Sequence, residues 1–225
     1  MSLSIDKKRT CLVVIDLQKG IASMPTQPYD TKTVIDNAKK LADAFRKNHM
    51  PVFLVHVTAS PGTALNTISD EGWPSRGEMP KDWADIVPEL GPEPTDVVIT
   101  KRQWGAFFGT DLDLRLRRGG LDTIVLAGIA TTYGVESTAR FAHEYGYHQI
   151  FAEDAMSDRA AEAHKNSIEH VLKRIGSARN AINGLMLEIL RHHIRMKIVD
   201  PTQETDRERA VATQDVLDII RAYLK

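Results

Sequence analysis

The chain has 225 residues, enough for one domain with a sizeable core or one domain with an appendage. Its 29 Lys and Arg balance 30 Asp and Glu, which removes the overall charge that draws nucleic acid or an anionic membrane and leaves a small molecule or a protein as the expected partner. Cys11 is the single cysteine, so an intramolecular disulfide and a four-cysteine metal knuckle are excluded and a reducing compartment is indicated.

The opening stretch MSLSIDKKRT has no apolar signal core, and nothing reaches the ~18 uninterrupted apolar residues of a membrane span, so a soluble cytoplasmic protein is expected. Along the chain, CLVVID (11–16) reads as a first strand and residues 32–48 as a helix. PVFLVHV (51–57) is a second strand. Residues 58–95, rich in Pro, Gly and polar side chains, interrupt the pattern, and a loop of that length is expected to be held over something functional. DVVIT (96–100), a helix at 111–118, TIVLAG (123–128), a helix at 132–145, a weaker strand in QIFAED (149–154) and a helix at 160–174 follow. The strands are apolar throughout rather than alternating, as strands covered on both faces of a parallel sheet are. The expected fold is a doubly wound α/β domain of about six parallel strands with helices on both faces.

In such a sheet ligands bind beyond the carboxyl ends of the strands, where the strand order reverses. The first strand ends in Asp16, followed by Leu17 and Gln18; the strand at 96–100 ends in Lys101, with Arg102, Gln103 and Trp104 behind it. The run at 123–128 ends in Gly128 and opens a helix whose first turn contains Gly134. A carboxylate, an amine and free backbone N–H groups are therefore expected to converge. Pocket walls follow from position: Gln18 and Ile21 after the first strand, Ser60 after the second, Trp104 and Phe107 after Lys101. His56 sits in an apolar run with no second ligand at metal spacing, so it reads as a hydrogen-bonded core histidine and no metal site is expected. Cys11 lies inside its strand and reads as core, not nucleophile.

The blocks VVIDLQKG, KRQWGAFFGTDLDLRLRRGGLDTIVLAGIATTYGVESTARFAHEYGY, FAEDAMSDRAAEAH and RIGSAR together resemble the isochorismatase-like, or cysteine hydrolase, family over most of residues 10–179. The resemblance implies a hydrolase without a cofactor, with a catalytic triad of Asp16, Lys101 and, in most members, a cysteine at the position of Gly134. Covalent hydrolysis of an amide needs that thiolate, and glycine has no side chain to attack with. Isochorismatases resemble this chain in carrying glycine there, which implies acid catalysis by Asp16 on a vinyl ether, with Lys101 as charge partner and substrate ligand. A hydrolase of amides, imides or esters using activated water, and a catalytically silent ligand-binding homologue, are the alternatives. A neighbouring Lys101 lowers the Asp16 pKa whereas an acid working near neutrality needs it raised, so burial has to decide.

Two departures stand out. Trp104 is followed by Gly105, and Ala130, Thr131 and Thr132 differ from the isochorismatase pattern, while GIAT (128–131) resembles the cysteine-bearing branch, in which a cis peptide in this turn, here Ile129–Ala130, shapes the oxyanion hole with Ala130 in the pocket. Between RIGSAR and VATQDVLDIIRAYLK lies an amphipathic segment, so the single domain is expected to carry an inserted helical hairpin at about 180–210 that packs on another subunit of a dimer or tetramer. His192 and His193 are adjacent rather than one helical turn apart, which does not suit a metal.

Overall fold

A computed structural model of the chain describes residues 5–58, 68, 70 and 79–179; Ser60 and the expected hairpin at 180–210 lie outside these residues. Asp6–Ala181 form one compact unit, and residues 1–5 with 182–225 form another, of which only Ile5 is described. Among the described residues no helix is long and apolar enough to cross a membrane.

The first unit is built on a sheet of six strands: β1 (Thr10–Ile15), β2 (Val52–Val57), β3 (Val97–Lys101), β4 (Thr123–Ile129), β5 (His148–Ser157) and β6 (Ser177–Arg179). Every neighbouring pair is parallel, in the order β3-β2-β1-β4-β5-β6. This is the doubly wound α/β fold expected from the alternation of apolar runs and helical stretches. The weak run at 149–154 proves to be part of a ten-residue strand, and β6 adds the sixth strand from within the RIGSAR block.

β1 is buried along its whole length because it lies in the middle of the sheet. Its alternate residues Cys11, Val13 and Ile15 pack with Phe53, Leu126, Phe151 and Val135 in one layer of the core. The pleat turns Leu12 and Val14 to the opposite face. That face is crossed by α2 (Thr31–Lys47), which contacts β1, β2, β4 and β5. Asp30 caps α2 by accepting from the Thr33 amide at 2.7 Å, satisfying one of the donors a helix start leaves open. Its buried stripe, Val34, Ala38, Leu41, Ala42 and Phe45, follows the helical spacing. The layer on the other face is closed by α3 (Leu112–Arg118) and α4 (Glu136–Glu144).

The order reverses between β1 and β4, and the two strands run side by side to their carboxyl ends, with Ile15 opposite Gly128. Their backbones come unusually close there. Gly128 has φ +120°, and a Cβ on it would lie 2.0 Å from the Ile15 carbonyl oxygen, so only glycine fits. Ahead of them sit α1 (Lys19–Ala22) after β1 and a π-helical turn (Thr131–Val135) after β4.

Candidate active site

The three strand ends do meet. Lys101 Nζ lies 2.8 Å from Asp16 Oδ2, and both side chains are buried. The same ammonium donates to the Gln103 carbonyl at 3.1 Å and the Trp104 carbonyl at 2.8 Å. An ammonium has three hydrogens, and three acceptors inside the protein take them. Lys101 therefore has no donor to spare for a substrate, contrary to the ligand role expected for it, and acts as a fixed cation that ties Asp16 to the loop after β3.

The carboxylate is left asymmetric. Its Oδ2 is clasped, whereas Oδ1 is buried and has no hydrogen-bond partner among the described residues. Burial, partly opposed by the charge and hydrogen bond of Lys101 and by the nearby His56, pushes the Asp16 pKa up to about 6. The residue also has φ +53°, a left-handed conformation that an Asp tolerates better than most side chains and that turns the chain sharply off the end of β1.

Gly134 lies beside this pair. A Cβ built on it would stand 3.0 Å from Asp16 Oδ2, 2.8 Å from Ile15 Cγ2 and 3.5 Å from the Trp104 carbonyl oxygen. The position is thus wedged against β1 and faces the carboxylate, with no side chain of its own. Cys11 is the other residue to consider for a thiolate, but it is buried inside β1, its Sγ 3.7 Å from the Thr123 carbonyl, and burial pushes its pKa up.

The turn carrying Gly134 is held from β5 and the helix after it. The Ile129–Ala130 peptide is cis, and Ala130 is half-buried at the start of the turn. Thr131 Oγ1 donates to the Ser157 carbonyl at 3.1 Å and lies 2.8 Å from His164 Nδ1. Asp158 Oδ2 accepts from the Thr132 amide at 2.6 Å and from its hydroxyl at 2.7 Å, while the Tyr133 and Val135 amides donate to the Ala130 carbonyl. The Thr132, Tyr133 and Val135 amides are therefore already engaged, which narrows the backbone donors expected to hold an anion near Gly134. Thr131 stands in the segment singled out from the sequence, whereas the anchoring residues Ser157, Asp158 and His164 were not singled out there. Their signal was present in the FAEDAMSDRAAEAH block, where three polar side chains that end up buried follow an apolar strand.

The remaining expected contacts divide. Trp104 is half exposed and stands edge-on to Tyr133, ring centroids 5.0 Å apart, at the side of the Asp16–Lys101 pair. Phe107 is instead core, stacked on Tyr147 at 5.8 Å and against Tyr145 at 5.4 Å, because the loop after β3 turns inward after Gly105. Gln18 is fully buried and serves as a strap: Nε2 donates to the Val57 and Trp83 carbonyls at 3.0 and 3.2 Å, and Oε1 accepts from the Val57 amide at 2.8 Å. Ile21 is half-buried on α1. His56 bridges the Ala84 carbonyl and Thr100 Oγ1, each at 2.7 Å. Gln18 and His56 thus fasten the returning limb of the long loop across the ends of β1 and β2, helped by Lys19, Gly20 and Val87 backbone bonds. No cluster of His, Cys, Asp and Glu able to hold a metal occurs among the described residues.

The sequence model of the isochorismatase domain matches residues 10–181, which takes in all six strands. The chain belongs to the isochorismatase family. An isochorismatase family protein of Bacillus subtilis (strain 168), YwoC, itself uncharacterized, is 52% identical over 181 residues, covering 79% of this chain and 93% of its own. A solved isochorismatase family protein from Burkholderia thailandensis superposes with a TM-score of 0.77 at 39% identity, covering 82% of this chain and 97% of that one. At 30% identity stand a probable isochorismatase of Pseudomonas chlororaphis, over 76% of this chain and 82% of that protein, and the ureidoacrylate amidohydrolase RutB of Pantoea ananatis, over 76% and 78%. As a member of this family the chain is a hydrolase, and its α/β fold is that of its structural neighbours.

Proposed function

We propose that this isochorismatase-family hydrolase works by acid catalysis without a covalent intermediate, and that Gly134 occupies the position at which most members of the family carry a nucleophilic cysteine. The observation that carries the reading is the Asp16 carboxyl: buried, its pKa raised to about 6, one oxygen clasped by Lys101 and the other without a partner among the described residues, beside a residue with no side chain. At pH 7 about one tenth of such a carboxyl is protonated, which is the property a general acid needs.

The substrate chemistry that fits is a vinyl ether such as isochorismate. Asp16 Oδ1 delivers its proton to the terminal vinyl carbon, and the electron pair of the double bond forms the new C–H bond. The adjacent carbon becomes an oxocarbenium ion, which water attacks. The proton lost by that water returns to Asp16, and the resulting hemiketal breaks its C–O bond to release pyruvate and a ring alcohol. Lys101, fixed by its two carbonyls, stabilises the Asp16 carboxylate between the two proton transfers. The 30% identity to a probable isochorismatase supports this reading.

The 30% identity to a ureidoacrylate amidohydrolase favours a second reading, attack of activated water on an amide. The two are separated by a coupled assay for pyruvate release from isochorismate, run on the wild type and on Asp16→Ala. Release by the wild type that drops ~10²–10⁴-fold in the variant, the usual range for losing a general acid, supports the vinyl-ether mechanism. No release by the wild type overturns it, and small amides and imides are then the substrates to assay.

A further inference from the structure

His164 is a buried titratable group that the acid catalysis described above does not use. It lies on α5 (Ala161–Ser167), 3% exposed, with its ring edge-on to Tyr29 at 6.2 Å between centroids. Its Nδ1 stands 2.8 Å from Thr131 Oγ1, whereas Nε2 is buried with no hydrogen-bond partner among the described residues. Burial holds its pKa below the ordinary histidine range, against the opposing pull of the Asp158 carboxylate, so the ring is neutral at pH 7. An apolar side chain of similar size would fill this place without orphaning a nitrogen. What distinguishes the imidazole here is therefore its Nδ1 contact.

The partners decide which nitrogen carries the proton. The Thr131 hydroxyl has one hydrogen and two neighbours, the Ser157 carbonyl at 3.1 Å and His164 Nδ1. A carbonyl only accepts, so the hydroxyl donates to Ser157 and receives from His164, which makes the neutral ring the Nδ1–H tautomer. Thr131 is thus gripped from both sides. Ser157 is itself tied back, its hydroxyl donating to the Tyr29 carbonyl at 2.7 Å, while Gln27 and Asp158 exchange backbone hydrogen bonds beside it. Thr131 opens the π-helical turn; near its other end the Thr138 hydroxyl donates to the Gly134 carbonyl at 2.6 Å and accepts from the Ala106 amide at 3.0 Å. Held at both ends, the turn keeps Gly134 against the Asp16 carboxyl, where a Cβ would stand 3.0 Å from Oδ2.

We propose that His164 is a positioning residue for the hydrolytic site: its Nδ1–H holds Thr131, and through the turn it sets how closely Gly134 covers the Asp16 carboxyl and keeps water from it. His164 touches no reacting atom. The catalytic consequence rests on Asp16 being the acid, as proposed above, whereas the placement does not. Lys101 and His56 are the charged and titratable groups that act on Asp16 directly, and neither is bonded to His164. A neutral ring turned towards Thr131 reaches the carboxyl through the turn.

Nuclear magnetic resonance on the full chain tests this without substrate, so its outcome is independent of which bond the protein hydrolyses. At pH 7 the long-range proton–nitrogen spectrum is expected to show the His164 ring protonated on Nδ1 and bare on Nε2. The carboxyl-carbon titration of Asp16, with a midpoint of about 6 in the wild type, is expected to move down by about one unit, toward the ~3.9 of a hydrated Asp, in His164→Gln and in Thr131→Val. His164→Asn is expected to keep the wild-type midpoint, because its amide nitrogen sits where Nδ1 does, whereas the Gln amide reaches the place of Nε2. Combining Thr131→Val with His164→Gln is expected to shift the midpoint by less than the sum of the two, since both act through one hydrogen bond. Circular dichroism checks that each variant is folded, and Thr131→Val remains the probe should His164→Gln fail to fold. A ring protonated on Nε2 alone, a midpoint unmoved by the substitutions, or a shift in His164→Asn as large as in His164→Gln overturns the proposal. If isochorismate is not hydrolysed, the reading of the reaction fails, while the Asp16 midpoint still decides the role of His164.

Discussion

Asp16 and Lys101 form a buried pair in which every hydrogen of the cation is committed while one oxygen of the acid has no partner among the described residues. Removing one member of such a pair leaves an uncompensated buried charge or unpaired carbonyls, with a typical penalty of about 3–5 kcal/mol. Lys101→Met is therefore expected to lower the urea midpoint by a corresponding amount. It also removes the main influence that holds the Asp16 pKa down, so the midpoint of the pH dependence moves upward from that of the wild type. For the wild type the sign is fixed by the acid role. The proton-bearing form is the active one, so log kcat/KM should be flat below about pH 6 and fall by about one unit per pH unit above it. A rate that rises through the same range would mean that Asp16 acts as a base. Position 134 is legible as unusual in the sequence because a glycine lies in the first turn of a helical stretch. The reason it is tolerated lies in space, since a Cβ there would press on Ile15 and on the Asp16 carboxylate.

Secondary-structure elements place these side chains, and two of them make the placement rigid. α2 spans the sheet behind the site, and its Phe45 is completely buried. Phe45→Ala should cost about 3–5 kcal/mol from lost burial and the cavity left behind, read as a shift in the denaturant midpoint at unchanged slope. The π-helical turn is anchored from outside itself. Asp158→Ala would leave the half-buried Thr132 amide and hydroxyl without their acceptor; an orphaned donor that is fully buried costs about 1–3 kcal/mol, and with water partly able to reach these two a loss of about 1–3 kcal/mol in all is expected. If the turn is what aligns residue 134 with Asp16, kcat should fall in this variant more than the folded fraction does. A decline matching only the loss of folded protein would reduce Asp158 to a structural anchor. The elements themselves were readable: β1, β2, β3 and β4 fall on the apolar runs within a residue at either end, and α2 within a residue of its helical stretch. β6 was not, because three residues of Ser, Ala and Arg carry no pattern of their own and become a strand only by pairing with Ile150, Phe151 and Ala152.

Across the domain, the alternation of apolar runs with amphipathic stretches was enough to give a parallel sheet covered on both faces, since hydrophobic periodicity is a local property written into consecutive residues. It was also enough to put Asp16 and Lys101 at strand ends and Gly134 in the first helical turn beyond another, and hence all three at one rim of the sheet. Distances and directions are different in kind. That Lys101 is saturated by Asp16, Gln103 and Trp104, that Gln18 straps a loop rather than lining a pocket, and that Phe107 turns into the core depend on which backbone carbonyls and rings arrive from residues far along the chain. The raised pKa of Asp16 is of the same sort: sequence supplies two opposing influences, a cation and a buried strand end, and only the amount of water excluded by the assembled sheet decides which prevails.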